Sequence, residues 1–555
     1  MTNTNHSSFF RARLQPLVAL LLAPSIALSQ APKASASASN EPLRHHPKLL
    51  LTIMIDQFRY DYTKRFRTDF HGGIDRVLRE GAVFEDAHQD HFPTLTSPGH
   101  TTILTGSTPH TSGIIGNAWY DRTQGKQVTS VEDAKTQIVG ASKLAVGASP
   151  HNLQVTTVAD ELKLAGRGTS KAIGLSLKDV AAILMVGRSA DAAYWFDTTS
   201  GKVVSSTYYM AHLPAWIEDF NAHALAFAPG ATWLPTSAAV NGGKPWMTLP
   251  ATIDEAYIFQ WRQTAMANRA LEDLAERALV NEQLGRHEAT DVLAVSFSAN
   301  DHLGHAVGPD APELRDLAIT TDQLIGKLID AAAKAVGGRD NLLVVLSSDH
   351  GVTPIPETLV ERRFTSGRVP KADPGVVIEK ALTAKYGEGK WVDNVGFFGP
   401  IYLNRGLIEE KKLDRAQVER EAADALLAMS SVEDVYTETE LAGHTAPRTE
   451  IDRLMFRGYK RDNGPDLIIV FRPNFIHGPL ATTHASPYNY DTHVPLVFWG
   501  DGIRASDSFD RVGISDVAPT LSVLLDLQMP NGSVGRVLPQ VLEGQQYVET
   551  KVSAR

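Results

Sequence analysis

Leu49-Leu50-Leu51-Thr52-Ile53-Met54-Ile55-Asp56 is a near-continuous apolar run that stops on a carboxylate. A strand with one solvated face alternates apolar and polar side chains, whereas a strand covered on both faces does not. The run therefore reads as a buried parallel strand. Three similar runs follow: Ala172-Ile173-Gly174-Leu175, Val292-Leu293-Ala294-Val295-Ser296-Phe297 and Leu342-Leu343-Val344-Val345-Leu346. Between them, Ile258 to Leu284 and Leu314 to Val336 carry apolar residues three and four apart, the spacing of a helix with one buried face. Strands alternating with helices predict an α/β fold, a doubly wound, mostly parallel central sheet flanked by helices. A strand at Val494–Trp499 and a helix near Val517–Leu525 complete the pattern.

The alternation breaks over residues 356–479, which are polar and loop-rich, with a helix expected at Asp414–Met429 and a strand at Leu467–Phe471. This stretch reads as an inserted subdomain beside the site. Residues 202–252, rich in Trp, Pro and Gly, read as a second elaborated loop region, and there is no internal repeat.

The 555 residues are 43% hydrophobic and 21% charged, an ordinary globular balance that argues against disorder. The formal charge of −10 and the lack of a basic run leave no footprint of a nucleic-acid-binding module. An acidic protein gains no long-range attraction for an anionic substrate, so anion binding must come from a local positive site such as bound metal ions. There are no cysteines, which excludes disulfides and thiolate metal sites and leaves His, Asp, Glu and hydroxyls as ligands. Arg11 and Arg13 followed by an apolar stretch from Leu17 to Leu28 read as a signal peptide over residues 1–29, cut after Ser29. Residues 30–46 read as a linker, 47–545 as the catalytic domain and 546–555 as a tail. The expected location is periplasmic or secreted, with no stable membrane span once the signal is removed. Oligomeric state is not legible.

The acidic residues fall where chemistry is expected. Asp56 directly follows the first strand, Asp301 follows the third and Asp349-His350 the fourth. Open α/β sheets bind ligands at the carboxyl ends of their strands. Three carboxylates meeting there repel one another unless a cation neutralises them. In Asp301-His302-Leu303-Gly304-His305, one helical turn aims Asp301 and His305 at the same ion. His493, in Tyr490-Asp491-Thr492-His493-Val494-Pro495, is a further candidate, although it precedes its strand and the pattern alone does not put it in the site. Carboxylates with imidazoles suit zinc, with manganese or iron as alternatives. A second element is Pro93-Thr94-Leu95-Thr96-Ser97-Pro98-Gly99-His100-Thr101. Pro98 fits the first turn of a helix capped by Ser97, and a helix N-terminus favours phosphate. Spacing does not choose a nucleophile among Thr94, Thr96, Ser97 and Thr101.

Asp56, Thr96-Ser97-Pro98-Gly99-His100, Gly113-Ile114-Ile115-Gly116-Asn117, Asp301-x-x-x-His305, Ser348-Asp349-His350-Gly351 and Tyr490-Asp491-Thr492-His493-Val494-Pro495 occur in this order. Together they resemble the alkaline phosphatase superfamily, in its branch of nucleotide pyrophosphatase/phosphodiesterases and Thr-nucleophile bacterial alkaline phosphatases. The resemblance runs from about Lys48 to Leu542. It implies two zinc ions, one held by Asp301, His305 and His493, the other by Asp56, Asp349 and His350 with Thr96 beside it as ligand and nucleophile. It implies that Asn117 and the Thr96 backbone N–H bind phosphoryl oxygens. Lys178, in Ser176-Leu177-Lys178-Asp179, matches a lysine that contacts the phosphoryl group in the monoesterase branch. Those monoesterases usually carry an Arg two residues after the Lys; here that residue is Val180, and Arg188 is only nearby in sequence. The function implied is hydrolysis of small-molecule phosphate monoesters through a phospho-threonine intermediate, with phosphodiesterase as the alternative. Arylsulfatases of the superfamily use a modified Cys or Ser in a different motif. The cofactor-independent phosphoglycerate mutases use Ser and manganese in the cytosol. A non-catalytic metal-binding protein would carry a damaged nucleophile or ligand set, and here the expected residues are all present.

Overall fold

The run Leu49–Ile55 is the hub of an eleven-stranded sheet. From one edge the order is Ser506–Gly513, Ala82–His88, Leu496–Gly500, Leu342–Ser347, Leu49–Ile55, Asp291–Phe297, Ala172–Ser176, Ala192–Phe196, Val203–Ser206, Glu132–Val139 and Val146–Ala148. The five strands from Leu342–Ser347 to Ala192–Phe196 are parallel. The computed structural model describes residues 46–141, 146–223, 228–396, 399–443 and 446–542. The expected signal peptide, all but the last residue of the expected linker, and the expected tail lie outside these residues.

The continuous apolar character of the central strands has a direct cause. Leu49, Leu51, Ile53 and Ile55 pack on one face of the sheet, Leu50 and Met54 on the other, and Leu293/Val295 against Val292/Ala294 divide the same way. The first face is covered by the helices Ala265–Asn281 and Pro312–Val336, the second by Thr96–Thr105, Val158–Ala165 and Val517–Leu524. Both faces are dry, so no polar alternation survives.

Two expected elements differ in detail. The pattern from Ile258 to Leu284 is two helices, Glu255–Trp261 and Ala265–Asn281. Thr264 adopts an extended backbone and its hydroxyl donates to the Trp261 carbonyl at 2.7 Å, ending one helix and opening the next. The strand expected at Val494–Trp499 is Leu496–Gly500, and it runs antiparallel to Leu342–Ser347. Its N-terminal end therefore lies beside the carboxyl ends of its neighbours.

Within 356–479, the strands Val392–Val395, Pro400–Leu403, Leu467–Phe471 and Val432–Thr437 form a separate sheet. The helices Asp373–Tyr386 and Arg415–Leu427 bury Ile378, Leu382, Val418 and Leu426 against it. Phe92, Leu454, Met455 and Ile468 join this region to the main body.

Candidate metal and nucleophile site

Four adjacent parallel strands deliver the polar residues of the site at their carboxyl ends. Asp56 follows Leu49–Ile55, Asp349 and His350 follow Leu342–Ser347, and Lys178 follows Ala172–Ser176. Asp301 and His305 lie on the helix Ala299–Val307, directly after Asp291–Phe297. This is the crevice that open α/β sheets use for ligands.

Two triads form there. Asp56, Asp349 and His350 bring donor atoms within 4.8 Å of one another, and so do Asp301, His305 and His484. In the first, His350 Nε2 lies 3.2 Å from Asp349 Oδ2 and 3.6 Å from Asp56 Oδ1. In the second, Asp301 Oδ1 lies 3.2 Å from His305 Nε2 and 3.8 Å from His484 Nε2. These gaps are near the edge of about 3.3 Å expected for tetrahedral zinc with ligands at ~2.0–2.1 Å. The opposite ring nitrogens are fixed by acceptors: Nδ1 of His305, His350 and His484 meets the carbonyls of Thr482, Gly351 and Thr94 at 2.9, 2.9 and 2.7 Å. A carbonyl only accepts, so each Nδ1 carries a proton and Nε2, which faces the carboxylates, is the nitrogen left to meet a metal. Asp56 Oδ1, Asp349 Oδ2 and His350 Nε2 are buried without a hydrogen-bond partner. A donor set of this kind fits a divalent cation in each triad.

His493 is not where the resemblance implied. Its ring stacks between Tyr60 and His88, at 4.0 and 4.6 Å between centroids, and its Nε2 donates to the Glu85 carbonyl at 2.9 Å. The chain entering the strand Leu496–Gly500 makes a bridge between His493 and His88, at the end of an outer strand. That pairing pulls His493 away, and His484, nine residues earlier, loops back onto Asp301 instead. His484 stacks on His350 at 3.5 Å. Asp86, His88 and His493 also gather in one place, but His88 Nε2 sits 2.8 Å from Asp86 Oδ1, a hydrogen-bonded pair, with the Arg511 guanidinium 3.3 Å away. Sequence reasoning missed His484 because its surroundings, Thr482-Thr483-His484-Ala485-Ser486-Pro487, are a loop with no periodicity and no strand end to mark it. It also missed Gln57, whose Nε2 donates to Asp301 Oδ1 at 2.7 Å and whose backbone N–H donates to Asp349 Oδ1 at 3.1 Å, tying the triads together.

Thr96 opens the helix Thr96–Thr105, with Leu95 as the flanking residue. The expected cap, Ser97, is inside the helix: its N–H donates to Asn117 Oδ1 at 2.7 Å, so a side chain from a distant loop does the capping. With its oxygen so engaged, Asn117 keeps its NH2 group as a donor. Gly99 permits the approach of this helix, because a Cβ there would lie 2.3 Å from the Asp349 carbonyl oxygen. His100 braces it from within, Nδ1 to the Thr96 carbonyl at 2.9 Å and Nε2 to Ser296 Oγ at 2.7 Å. Lys178 Nζ lies 3.5 Å from Thr96 Oγ1, 2.7 Å from Asp56 Oδ2 and 2.5 Å from Asp301 Oδ2. One ammonium thus touches the Thr96 hydroxyl and a carboxylate from each triad.

The charges are strongly coupled. Burial, with Asp349 alongside, pushes Asp56 up to about 7. Burial also opposes ionisation of Asp301, but Lys178 and His305 hold it well below the ordinary carboxylate range. Burial disfavours protonated His350, yet Asp349 and Asp56 raise it to about 9. Burial and the neighbouring His350 hold His484 well below its ordinary value. Val180 packs in an apolar cluster with Ile114, Val131 and Leu153, and Arg188 donates to the carbonyls of Leu153 and His151 at 2.8 and 3.0 Å. Neither residue offers a cation to the site.

The profile of the type I phosphodiesterase / nucleotide pyrophosphatase family matches residues 50–477. The chain is 33% identical over 524 residues to alkaline phosphatase PafA of Elizabethkingia meningoseptica, covering 89% of this chain and 94% of that protein. It is 33% identical over 526 residues to alkaline phosphatase PhoV of Synechococcus elongatus, covering 90% and 93%. The crystal structure of wild-type PafA superposes with a TM-score of 0.80 at 31% identity, over 90% of this chain and 99% of that one. Among the described residues no helix is long and apolar enough to cross a membrane.

Proposed function

The chain belongs to the type I phosphodiesterase / nucleotide pyrophosphatase family of the alkaline phosphatase superfamily and is a phosphoester hydrolase, and from that premise we propose that it hydrolyses phosphate monoesters through a phospho-Thr96 intermediate. The observation that carries the reading is the junction at Lys178, whose ammonium touches the Thr96 hydroxyl and one carboxylate from each triad. Asp301, His305 and His484 would hold one zinc ion and Asp56, Asp349 and His350 the other. When bound, the ions supply positive charge that lowers the pKa of the Thr96 hydroxyl and stabilises the departing oxygen.

The residues of the chain do the rest. The Thr96 backbone N–H, the Asn117 amide and Lys178 receive the non-bridging oxygens of the phosphoryl group. Thr96 Oγ1 gives up its proton to solvent and attacks phosphorus in line. The Oγ1–P bond forms as the bond to the leaving oxygen breaks, and that oxygen departs with the electron pair and takes a proton from solvent to become the alcohol. Water then attacks the phosphothreonine, the Oγ1–P bond breaks, one proton of the water returns to Thr96 Oγ1 and hydrogen phosphate leaves. The substrates are small-molecule phosphate esters, and the expected export through residues 1–29 fits a periplasmic or secreted enzyme.

A phosphodiesterase is the second reading, favoured by the family match and by Val180 where the monoesterases usually have Arg. The test compares kcat/KM for an aryl phosphate, the matching methyl aryl diester and an aryl sulfate, with zinc supplied. The monoester should lead. A wild-type enzyme faster on the diester, with Lys178→Ala harmless to monoester turnover, moves the protein to the phosphodiesterase branch.

A further inference from the structure

A monoester brings two negative charges to a corner where Lys178 is already held by Asp56 and Asp301 at 2.7 and 2.5 Å. The ions that these carboxylates would hold neutralise them, so what recognition of the dianion still needs is a residue that fixes where the ammonium points. The position two residues on cannot supply it, since Val180 is packed among apolar side chains, and Arg188 is fixed to two backbone carbonyls elsewhere. Arg262 does reach this corner. It lies in the break between the helices Glu255–Trp261 and Ala265–Asn281, so the break has a consequence for the site. One of its terminal N–H groups donates to the Leu177 carbonyl at 3.1 Å, directly before Lys178. Its Nε is buried without a hydrogen-bond partner. Its charge is within electrostatic reach of Asp179, Asp301 and Asp56.

We propose that Arg262 is a positioning residue for recognition of the phosphoryl dianion, acting through Lys178: it anchors the turn that carries the lysine. The inference rests on the monoesterase reading above. An isolated buried guanidinium holding a turn for stability alone would affect all substrates alike; one acting through Lys178 would not.

The experiment is a double-mutant cycle on the zinc-loaded enzyme, with Lys178→Ala, Arg262→Gln and the pair, each assayed on an aryl phosphate and its methyl diester and for inhibition by inorganic phosphate. Arg262→Gln should lower monoester kcat/KM by about tenfold or more, the scale of a lost charge-assisted interaction. Diester kcat/KM should change by less than about threefold, and phosphate should inhibit more weakly. Arg262→Lys should recover part of the loss, because the charge returns without the planar fork. The pair should be little worse than Lys178→Ala alone, since residues acting as a unit are not additive. Zinc content and Tm are measured for every variant; if Arg262→Gln loses metal or folds poorly, Arg262→Lys carries the test with the same selective loss at smaller size. Equal losses on both esters, or additive losses in the pair, overturn the role of Arg262. A Lys178→Ala variant neutral on the monoester instead overturns the monoesterase reading beneath it.

Discussion

At the scale of single residues, the Asp301 triad is completed by one of two histidines of the same segment. His484 Nε2 faces Asp301 at 3.8 Å, whereas His493 is stacked between Tyr60 and His88. His484→Ala should therefore leave about one zinc per chain instead of two, and should cost more than the roughly 10–100-fold typical of losing only an outer hydrogen bond to a metal ligand. His493→Gln should keep both ions. Elemental analysis of the two variants decides this, and the reverse result would restore His493. Thr96→Ala should reduce turnover by at least about a thousandfold while the protein stays folded and metal-loaded, because the nucleophile and its machinery act as a unit. Thr96→Ser should keep part of the activity. Residues next to a strand end were legible in the sequence: Asp56, Asp301, Asp349 and His350 each follow an apolar run that announces them. His484 was not, because a loop residue is placed by tertiary path and nothing local encodes that path. Motif resemblance points to His493 of the same segment, which the fold stacks between Tyr60 and His88.

At the scale of elements, the helix Thr96–Thr105 and the segment Gly116–Ser130 are fastened to each other. Ser97 N–H donates to Asn117 Oδ1 at 2.7 Å, Ser130 N–H donates to the Asn117 carbonyl at 2.9 Å, and the Ser97 and Ser130 hydroxyls lie 2.8 Å apart. Ser130 thus holds both the nucleophile helix and the backbone of the residue expected to bind phosphoryl oxygens. Ser130→Ala removes one buried hydrogen bond, worth roughly 0.5–1.5 kcal/mol. It should lower kcat by about two- to tenfold with bound zinc unchanged. Unchanged kinetics would mean that the ring does not set the geometry of Asn117. The central strands and long helices were predictable because their apolar spacing reports burial directly. The break at Arg262–Thr264 was not, since the apolar spacing continues across it and the hydroxyl bond from Thr264 to Trp261 acts only once the chain is folded.

At the scale of the whole molecule, metal and stability are linked through the buried charges. In metal-free protein His350 is raised from its ordinary 6.5 to about 9 by Asp349 and Asp56, against the opposing effect of burial. A group whose folded pKa is raised contributes stability that is fully present below its unfolded pKa and is lost as pH rises through the folded one. Chelator-treated protein should therefore lose Tm between about pH 6.5 and pH 9. Zinc-loaded protein, whose cations take over the neutralising role of that proton, should hold its Tm across the same range. Parallel thermal scans at several pH values check this, and identical profiles with and without zinc would remove the charge coupling from the account. In the proposed reaction of the intact enzyme, the phosphoryl group passes through Thr96. Quenching the zinc-loaded protein in acid during turnover of an aryl phosphate, then reading its intact mass and mapping the modified peptide, tests this most directly. A phosphorylated species with the phosphate on Thr96 is expected, absent from Thr96→Ala. An unmodified Thr96 peptide, together with a Thr96→Ala variant that turns over near the wild-type rate, would contradict it.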